Sequence, residues 1–179
     1  MTDIWAIREA RLHDEEKAIV TELRAAGAKI VSVWDLVSSR DGYPSFVPIL
    51  MKHLHLSYSD RTRSGIARAL AVPAASEYWD FLVQLYAEAR EGKGPVFPGE
   101  ETEFELGFKD ALACALSGSV TEETLLQLIR LAEDPTNGES RVLLIGPLRR
   151  SKTATSIAAV EKLRQDPALA KEINSWRKK

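Results

Sequence analysis

The sequence predicts an all-α fold, and three observations support this class. Apolar residues recur at the i, i+3, i+4, i+7 spacing of a half-buried helix along most of the chain. Short polar breaks that contain Gly and Pro separate these helical segments. Only one segment has the composition of a strand, and a lone strand has nothing to pair with. With 179 residues and 45% hydrophobic content, the chain suits one domain, residues 1–179, around one core.

The first predicted helix covers residues 14–26, with Asp14 as its N-cap and Gly27 just past its end. The next segment, residues 29–39, fits two structures. Its β-branched residues suit a strand, whereas Ser32 followed by Asp35 suits a short capped helix. We favour the helix, because no second segment offers a partner strand.

Three later helices share one apolar register. Their buried positions are Val47, Leu50, Met51 and Leu54, then Trp79, Leu82, Val83 and Tyr86, then Leu125, Leu128, Ile129 and Ala132. The helices that follow them align over residues 63–70, 105–112 and 141–148. This alignment makes Leu70, Leu112 and Leu148 equivalent buried positions. A helix pair that recurs in this way is the signature of an α-solenoid.

The sequence therefore predicts an α-solenoid of four to five antiparallel helix pairs. The repeats cover approximately residues 14–40, 43–75, 76–120 and 121–152, and closing helices cover residues 156–179. In the closing helices, Asp166 and Pro167 fit the N-cap and the first helical residue.

Residues 90–102 form a longer connection than the other repeats contain. Their glycines and prolines predict a surface loop, either mobile or used to bind a partner, with Phe97 as its lone aromatic residue. At the end of this segment, Thr102 and Glu105 predict a capping box for the helix that follows.

These repeats resemble the HEAT and HEAT-like repeat family over residues 43–152. The family pattern has an Asp before the second helix, an Arg three residues later and an Ala-Leu pair near the helix end. The matching residues are Asp60, Arg63, Ala69 and Leu70, and in the third repeat Arg141 and Leu148. The middle repeat departs from the pattern, with Thr102 and Glu105 in place of the Asp and the Arg.

The resemblance implies a small, bacterial-type α-solenoid in which the Asp and Arg side chains connect adjacent repeats. Arg63 and Arg141 are therefore expected to be structural. The family does not specify a function, since HEAT-like arrays include adaptors, inhibitors, DNA glycosylases and bilin lyases.

The sequence contains no recognisable catalytic, cofactor-binding or metal-binding motif. The segment EGKGP, residues 91–95, lacks the glycine spacing of a phosphate-binding loop. His53 and His55 would point to different sides of one helix, and Cys114 has no nearby histidine. We therefore expect no catalytic residue, cofactor or metal.

The N-terminal residues lack the pattern of a signal peptide, and no apolar run reaches the roughly 18 residues of a membrane-spanning helix. These features predict a cytoplasmic protein without membrane contact.

Charge is distributed unevenly along the chain. Residues 91–138 contain three basic and ten acidic residues, whereas residues 139–179 contain ten basic and four acidic residues. This pattern is typical of solvated faces or of a bipolar surface that orients a partner. The residues expected to contact a partner are Arg61, Arg68, Phe97, Glu103, Asp110, Arg149 and Arg150.

We expect a non-enzymatic adaptor, inhibitor or immunity-type scaffold that holds a protein or peptide on its concave face. The alternative is a nucleic-acid-binding protein of the alkyl-purine DNA glycosylase type, with Arg68, Arg149, Arg150 and Lys152 on phosphates. The net charge of -2 disfavours that alternative. An enzyme similar to the bilin lyases is a third hypothesis.

Overall fold

The computed structural model describes residues 4–39, 43–97 and 100–176, and most of these residues are helical. The helices are α1 (Ile4–Ala25), α2 (Trp34–Val37), α3 (Val47–Leu54), α4 (Asp60–Ala69), α5 (Trp79–Glu88), α6 (Phe108–Ser119), α7 (Leu125–Glu133), α8 (Gly146–Arg150), α9 (Ala154–Leu163) and α10 (Pro167–Ser175). Short 3₁₀ helices cover Pro44–Phe46, Pro73–Tyr78, Pro135–Asn137 and Glu139–Leu143. The predicted all-α character is confirmed, with one small hairpin as the exception.

Helix α4 packs most extensively against α6, and these two helices form the centre of the molecule. Helices α2 and α3 also pack on α4, while α5 and the 3₁₀ helix Glu139–Leu143 pack on α6. The predicted apolar stripes lie inward: all four positions of α3 are buried, and α5 and α7 each bury three of four. Among the described residues, no helix has the length and apolar character that crossing a bilayer requires.

The three aligned leucines are all buried, but the alignment between their helices is wrong. Leu70 is the residue that directly follows α4, whereas Leu112 lies within α6. The cause is the start of α6, which begins at Phe108 and not near residue 105. The prediction that Leu70, Leu112 and Leu148 are buried is confirmed, since their exposed fractions are 0%, 0% and 1%. The prediction that they occupy equivalent positions in their helices is wrong.

Helix α1 starts at Ile4, so the predicted start with Asp14 as N-cap is wrong. The additional turns carry Arg8 and Arg11, whose guanidinium groups stack on the rings of Phe104 and Phe97. The extra turns of α1 therefore make contacts with residues distant in sequence, and the local sequence pattern does not predict those contacts. The predicted end is correct: Gly27 has a φ of 103° and terminates the helix in the left-handed conformation that glycine tolerates.

Glu15 and Glu16 lie in the middle of α1 and connect it to the following helices. Glu15 accepts hydrogen bonds at the start of α4, from the backbone N–H of Ser59 at 2.7 Å and the hydroxyl of Thr62 at 2.7 Å. Glu16 accepts hydrogen bonds from the hydroxyl of Ser32 at 2.7 Å and the N–H of Val33 at 3.0 Å. A helix that began at Asp14, as predicted, would have had these acids in its first turn, but α1 begins at Ile4.

Residues 29–39 contain the short helix α2, as preferred over a strand. Asp35 accepts hydrogen bonds from the N–H groups of Val31 at 2.8 Å and Ser32 at 3.1 Å, and so fixes the start of the turn. This short helix places Trp34 against α4, which the site described below depends on.

The predicted loop at residues 90–102 is in part a β-hairpin. Strand β1 (Lys93–Pro95) pairs antiparallel with β2 (Glu103–Glu105) in the register Lys93–Glu105, Gly94–Phe104 and Pro95–Glu103. The predicted capping box of Thr102 and Glu105 is therefore wrong, because Glu105 belongs to a strand. The first N–H groups of α6 are capped instead by Asp60, which accepts from Gly107 at 2.8 Å and Phe108 at 3.2 Å.

The closing segment folds as predicted over its described part. Asp166 accepts a hydrogen bond from the N–H of Ala168 at 2.9 Å, and Pro167 is the first residue of α10. The predicted last residues, 177–179, and residue 40 of the first repeat lie outside the described residues.

Candidate functional site

A cleft of about 520 Å³ lies between α1, α2, α4 and the hairpin. Its charged and aromatic lining residues are Arg8 and Glu9 of α1, Trp34 of α2, Asp60, Arg61 and Arg68 of α4, and Phe104 and Glu105 of β2. The volume is in the range of ordinary ligand-binding pockets. Two of the residues expected from the sequence to bind a partner, Arg61 and Arg68, lie in it.

Helix α4 places these two arginines on one face. Ser59 caps the helix by accepting a hydrogen bond from the N–H of Thr62, while Ile66 and Ala69 anchor the opposite side in the core. Positions 61 and 68 are seven residues apart, which is close to two turns, or about 10.5 Å along the axis. Both side chains consequently reach the same cleft.

The guanidinium groups of Arg61 and Arg68 have few partners. The guanidinium carbon of Arg61 lies 5.2 Å from the centroid of the Trp34 ring. Arg68 donates only a long hydrogen bond, 3.6 Å, to the sulfur of Cys114. Within the described part of the chain, neither arginine forms an ion pair. Since each guanidinium carries five N–H donors, the pair retains most of its capacity to bind an anion.

Trp34 covers the surface of α4 between the two arginines. Its indole packs on Gly65, so closely that a Cβ at that position would approach the indole nitrogen to 2.8 Å. The indole ring can therefore pack this closely against α4 only because residue 65 is a glycine. The indole N–H is buried and has no hydrogen-bond partner among the described residues. The face of α4 thus presents a cation, an aromatic ring and a second cation in order.

The opposite wall of the cleft differs in charge. Arg8 donates to Glu100 at 3.1 Å and stacks on Phe104, with its guanidinium carbon 3.7 Å from the ring centroid. Glu9 is exposed on α1. Glu105 is exposed on β2, and its Oε1 lies 3.9 Å from Nζ of Lys93. The α4 side of the cleft therefore carries Arg61 and Arg68 together with Asp60, and the opposite side carries Arg8 and the two exposed carboxylates of Glu9 and Glu105.

Asp110 and Cys114 of α6 lie beside Arg68. Burial raises the pKa of the Asp110 carboxyl, while the charge of Arg68 acts in the opposite direction. Burial likewise raises the pKa of the Cys114 thiol, against the same opposing effect of Arg68. A raised pKa keeps the thiol protonated, which does not suit a nucleophile.

Phe97 does not occupy the position predicted for it. Its ring is 3% exposed and lies under Arg11, whose guanidinium carbon is 3.8 Å from the ring centroid. The expectation that Phe97 anchors a partner is therefore wrong, because the hairpin folds back onto α1. Glu103 is exposed on β2, outside the set of cleft-lining residues.

Arg149 and Arg150 line a different cleft, of about 530 Å³, next to α10. Arg149 lies over the ring of Trp176, with its guanidinium carbon 5.4 Å from the centroid. The two clefts have no lining residue in common. The structure thus separates the predicted site residues into two groups.

Arg63 and Arg141, expected to be structural, make structural contacts. Arg63 stacks on Phe108, the first residue of α6, at 3.8 Å. Arg141 is 4% exposed and donates to the carbonyl of Ala132 at 3.2 Å and to Asp166 at 2.6 Å. Arg63 therefore joins α4 to α6, and Arg141 joins the 3₁₀ helix Glu139–Leu143 to α7 and to the start of α10.

His53 and His55 lie apart, as their spacing predicts. His53 is buried, with Nδ1 2.7 Å from the hydroxyl of Tyr58, and His55 is exposed and stacks on Phe81. Across residues 4–39, 43–97 and 100–176, no group of three or more His, Cys, Asp or Glu side chains is placed to hold a metal ion.

Reasoning from the sequence missed Trp34, Phe104 and Arg8 as residues that line the cleft, and it missed Gly65 as the contact that positions Trp34. Gly65 carries the signal that was available, since a glycine inside a helix often marks a close packing contact. The partner of that contact, Trp34, is 31 residues away and is not recognisable from local pattern.

Comparison of the chain with protein-family models, with curated proteins and with solved structures found no match.

Proposed function

We propose that the helices form a HEAT-like α-solenoid. In support, α4, α6 and the 3₁₀ helix Glu139–Leu143 pack side by side in chain order, and α3, α5 and α7 pack each on the segment that follows it. The contacts of Asp60 with the start of α6, and of Arg141 with Asp166, are of the kind that the resemblance to HEAT repeats implies.

On this framework, the protein is a non-enzymatic adaptor or inhibitor that holds a segment of a protein partner in the cleft beside α4. The observation that carries this proposal is the pair Arg61 and Arg68, which face one cleft on either side of Trp34. Neither arginine forms an ion pair with another residue that the structure describes. Arginine and tryptophan are the residue types in which binding energy at protein interfaces is concentrated.

A protein segment suits the cleft better than a nucleic acid does. The exposed carboxylates of Glu9 and Glu105 on the opposite wall repel a chain of phosphates, and the net charge of -2 provides no general attraction to one. The basic residues Arg149 and Arg150 line another cleft and do not extend a phosphate-binding path from Arg68.

Selection from a displayed library of random peptides tests the proposal, because it requires no purified partner. We expect peptides selected on the wild-type protein to lose binding to the double variant Arg61→Gln, Arg68→Gln. They should keep binding to the matched variant Arg149→Gln, Arg150→Gln, which removes the same charge from the other cleft.

Two results would contradict this function. One is the absence of any enriched peptide, or of any effect of Arg61 and Arg68 on the enriched ones. The other is tight binding of DNA that falls steeply with salt and depends on Arg61 and Arg68, since a steep salt dependence reports contacts to phosphates.

A further inference from the structure

A third cleft, of about 420 Å³, lies between the hairpin, the end of α5 and the starts of α4 and α6. Its volume is within the range of pockets that take small molecules, and such pockets combine apolar walls with a few polar groups. Arg63 is a basic residue of the lining, and we call this pocket the Arg63 cleft. Most of the lining is apolar and is formed by Leu85, Ala89, Pro95, Val96, Leu106 and Phe108.

The side chain of Arg63 is half-buried and packs on the ring of Phe108, with its guanidinium carbon 3.8 Å from the ring centroid. Its Nε is buried and has no hydrogen-bond partner in the part of the chain that the structure describes. The two terminal nitrogens form no hydrogen bond or ion pair with a described residue either, and they are not fully buried. Arg63 therefore brings to the cleft a positive charge and N–H donors that no described residue uses.

The surroundings of Arg63 favour an anionic ligand. Burial lowers the pKa of its guanidinium, while the charge of Asp60 acts in the opposite direction. A charge taken out of water costs free energy unless an opposite charge and hydrogen bonds accompany it. The ring of Phe108 offers a cation–π contact but no hydrogen-bond acceptor. A ligand oxygen at the terminal nitrogens would supply both the opposite charge and the acceptor.

Two carboxylates line the same cleft, and both already accept hydrogen bonds. Asp60 caps α6 through the two N–H groups named above, and the exposed Glu88 accepts from the side-chain amide of Gln84 at 2.9 Å. With the exposed Arg90, the lining carries two cations and two anions, so its formal charges balance. An anion is therefore favoured here by the unused donors of Arg63, and not by an overall positive charge.

We propose that the Arg63 cleft binds a small monocarboxylate with an apolar body, such as an arylalkanoic acid. The carboxylate pairs with the terminal nitrogens of Arg63, because it matches two parallel N–H donors of a guanidinium. The apolar body lies against Leu85, Val96 and Leu106, which are half-buried and leave apolar surface exposed in the cleft. Burial of that surface contributes the rest of the affinity.

The probe is 4-phenylbutyrate, which has about 12 non-hydrogen atoms, and a ligand of this size is expected to have a dissociation constant of about 2 mM or lower. Binding is measured by nuclear magnetic resonance on the ¹⁵N-labelled protein. Three matched compounds are 4-phenylbutanamide, which lacks the charge, butyrate, which lacks the ring, and 4-phenylbutylamine, which is protonated at pH 7. We expect each of them to bind at least about fivefold more weakly.

The Arg63→Gln variant tests the residue that holds the carboxylate. We expect it to weaken binding of 4-phenylbutyrate by at least about fivefold. The matched variant Arg130→Gln removes the same charge from an exposed position outside the cleft and should change binding by less than about twofold. The double variant Arg61→Gln, Arg68→Gln should also change it by less than about twofold, because neither residue lines this cleft.

A second variant leaves Arg63 in place, since this arginine also packs on α6. Ala89 lines the cleft and is half-buried, so Ala89→Phe should fill part of the space and weaken binding by at least about fivefold. Ala87→Phe is the control, because Ala87 is exposed on the same helix and does not line the cleft. If Arg63→Gln lacks the helical circular dichroism spectrum of the wild type, Ala89→Phe decides the outcome.

The side-chain Nε–H of Arg63 provides a direct signal in the wild-type protein, and we expect it to shift with 4-phenylbutyrate. Equal or tighter binding of the amide or the amine overturns the carboxylate site, as does unchanged binding to Ala89→Phe. No binding of 4-phenylbutyrate at about 10 mM overturns it as well. The protein-binding function is tested separately, by library peptides that depend on Arg61 and Arg68, and stands or falls without this site.

Discussion

Gly65 determines how closely Trp34 approaches α4, and the cleft depends on this contact. A Cβ at position 65 would lie 2.8 Å from both the indole nitrogen of Trp34 and the Cγ1 of Val33. The ring would then have to move away from the helix face that carries the two arginines. The position of Trp34 in the cleft therefore depends on the absence of a side chain at position 65.

We expect Gly65→Ala to destabilise the protein. Overpacking costs about 1–3 kcal/mol, and the better helix propensity of alanine, about 1 kcal/mol, offsets only part of that cost. Urea denaturation measures the change. The control is Gly146→Ala, where the nearest atom to the new Cβ is 3.6 Å away. A Gly65→Ala protein as stable as the control variant would show that Trp34 does not pack as described.

Glu15 is the second residue on which the site depends, because it holds α1 against the start of α4. We expect Glu15→Gln to lower the free energy of unfolding by about 1.5–3 kcal/mol, the value of hydrogen bonds to a charged group. The amide keeps the shape but replaces one accepting oxygen with a donor, which faces the N–H and hydroxyl donors of Ser59 and Thr62.

Chemical denaturation provides the measurement for Glu15→Gln, with Glu122→Gln as a control at an exposed position. If both variants unfold at the same denaturant concentration as the wild type, Glu15 does not brace the two helices.

Among the elements, the hairpin is the one that the sequence did not indicate. Its strands, Lys-Gly-Pro and Glu-Phe-Glu, are three residues long and do not show a shared alternation. The contacts that hold it come from α1, through Arg8 and Arg11, and from the N–H of Asp60 to the carbonyl of Val96 at 3.1 Å. Replacing residues 92–99 with a flexible link would therefore remove strand β1, and the change would be larger than the shortening of an unstructured loop.

We expect Phe97→Ala to destabilise the hairpin and the first turns of α1 together. Truncation of a buried phenylalanine costs about 3 kcal/mol or more, and here the stacking partner of Arg11 is lost as well. Hydrogen exchange should show faster exchange at Glu103–Glu105 and in the first turns of α1. The exposed Leu126→Ala is the control, with an expected change within about 0.5 kcal/mol. Unchanged protection of β2 would mean that Phe97 does not anchor the hairpin.

The junction between Glu139–Leu143 and α10 depends on Asp166. The pKa of this carboxyl is lowered, first by the hydrogen bond from Arg141 and next by that from the N–H of Ala168. A carboxyl whose pKa is depressed in the folded state stabilises the fold above its unfolded pKa, about 3.9. The contribution is lost as the pH falls below that value through the folded pKa.

We therefore expect Asp166→Asn to be less stable than the wild type at pH 7, with a smaller loss of stability on acidification. Thermal denaturation between pH 7 and acidic pH should show the two proteins converging at low pH. The exposed Asp80→Asn serves as control. A constant difference between Asp166→Asn and wild type across this range would contradict the role given to the ion pair.

At the scale of the molecule, the features that could be predicted from the sequence are those that depend on residues close together in the chain. The apolar stripes at Val47, Trp79 and Leu125, and the cap at Asp166, identify helices because spacing and capping act within a few residues. The early start of α1 and the position of Glu15 depend on contacts distant in sequence. Arg61 and Arg68 were predicted together because they share a helix, whereas Trp34 joins them only through the packing of α2 on α4.

Binding of a protein segment between Arg61 and Arg68, across Trp34, is tested most directly by nuclear magnetic resonance. Chemical-shift changes are followed in a ¹⁵N-labelled sample titrated with a library-selected peptide. The indole N–H of Trp34 gives a resonance of its own, distinct from the backbone signals. We expect this resonance and the backbone signals of Arg61, Arg68 and Glu105 to shift on binding, while those of Arg149 and Trp176 stay in place. Shifts confined to Arg149 and Trp176, with the Trp34 indole unmoved, would contradict binding at this cleft.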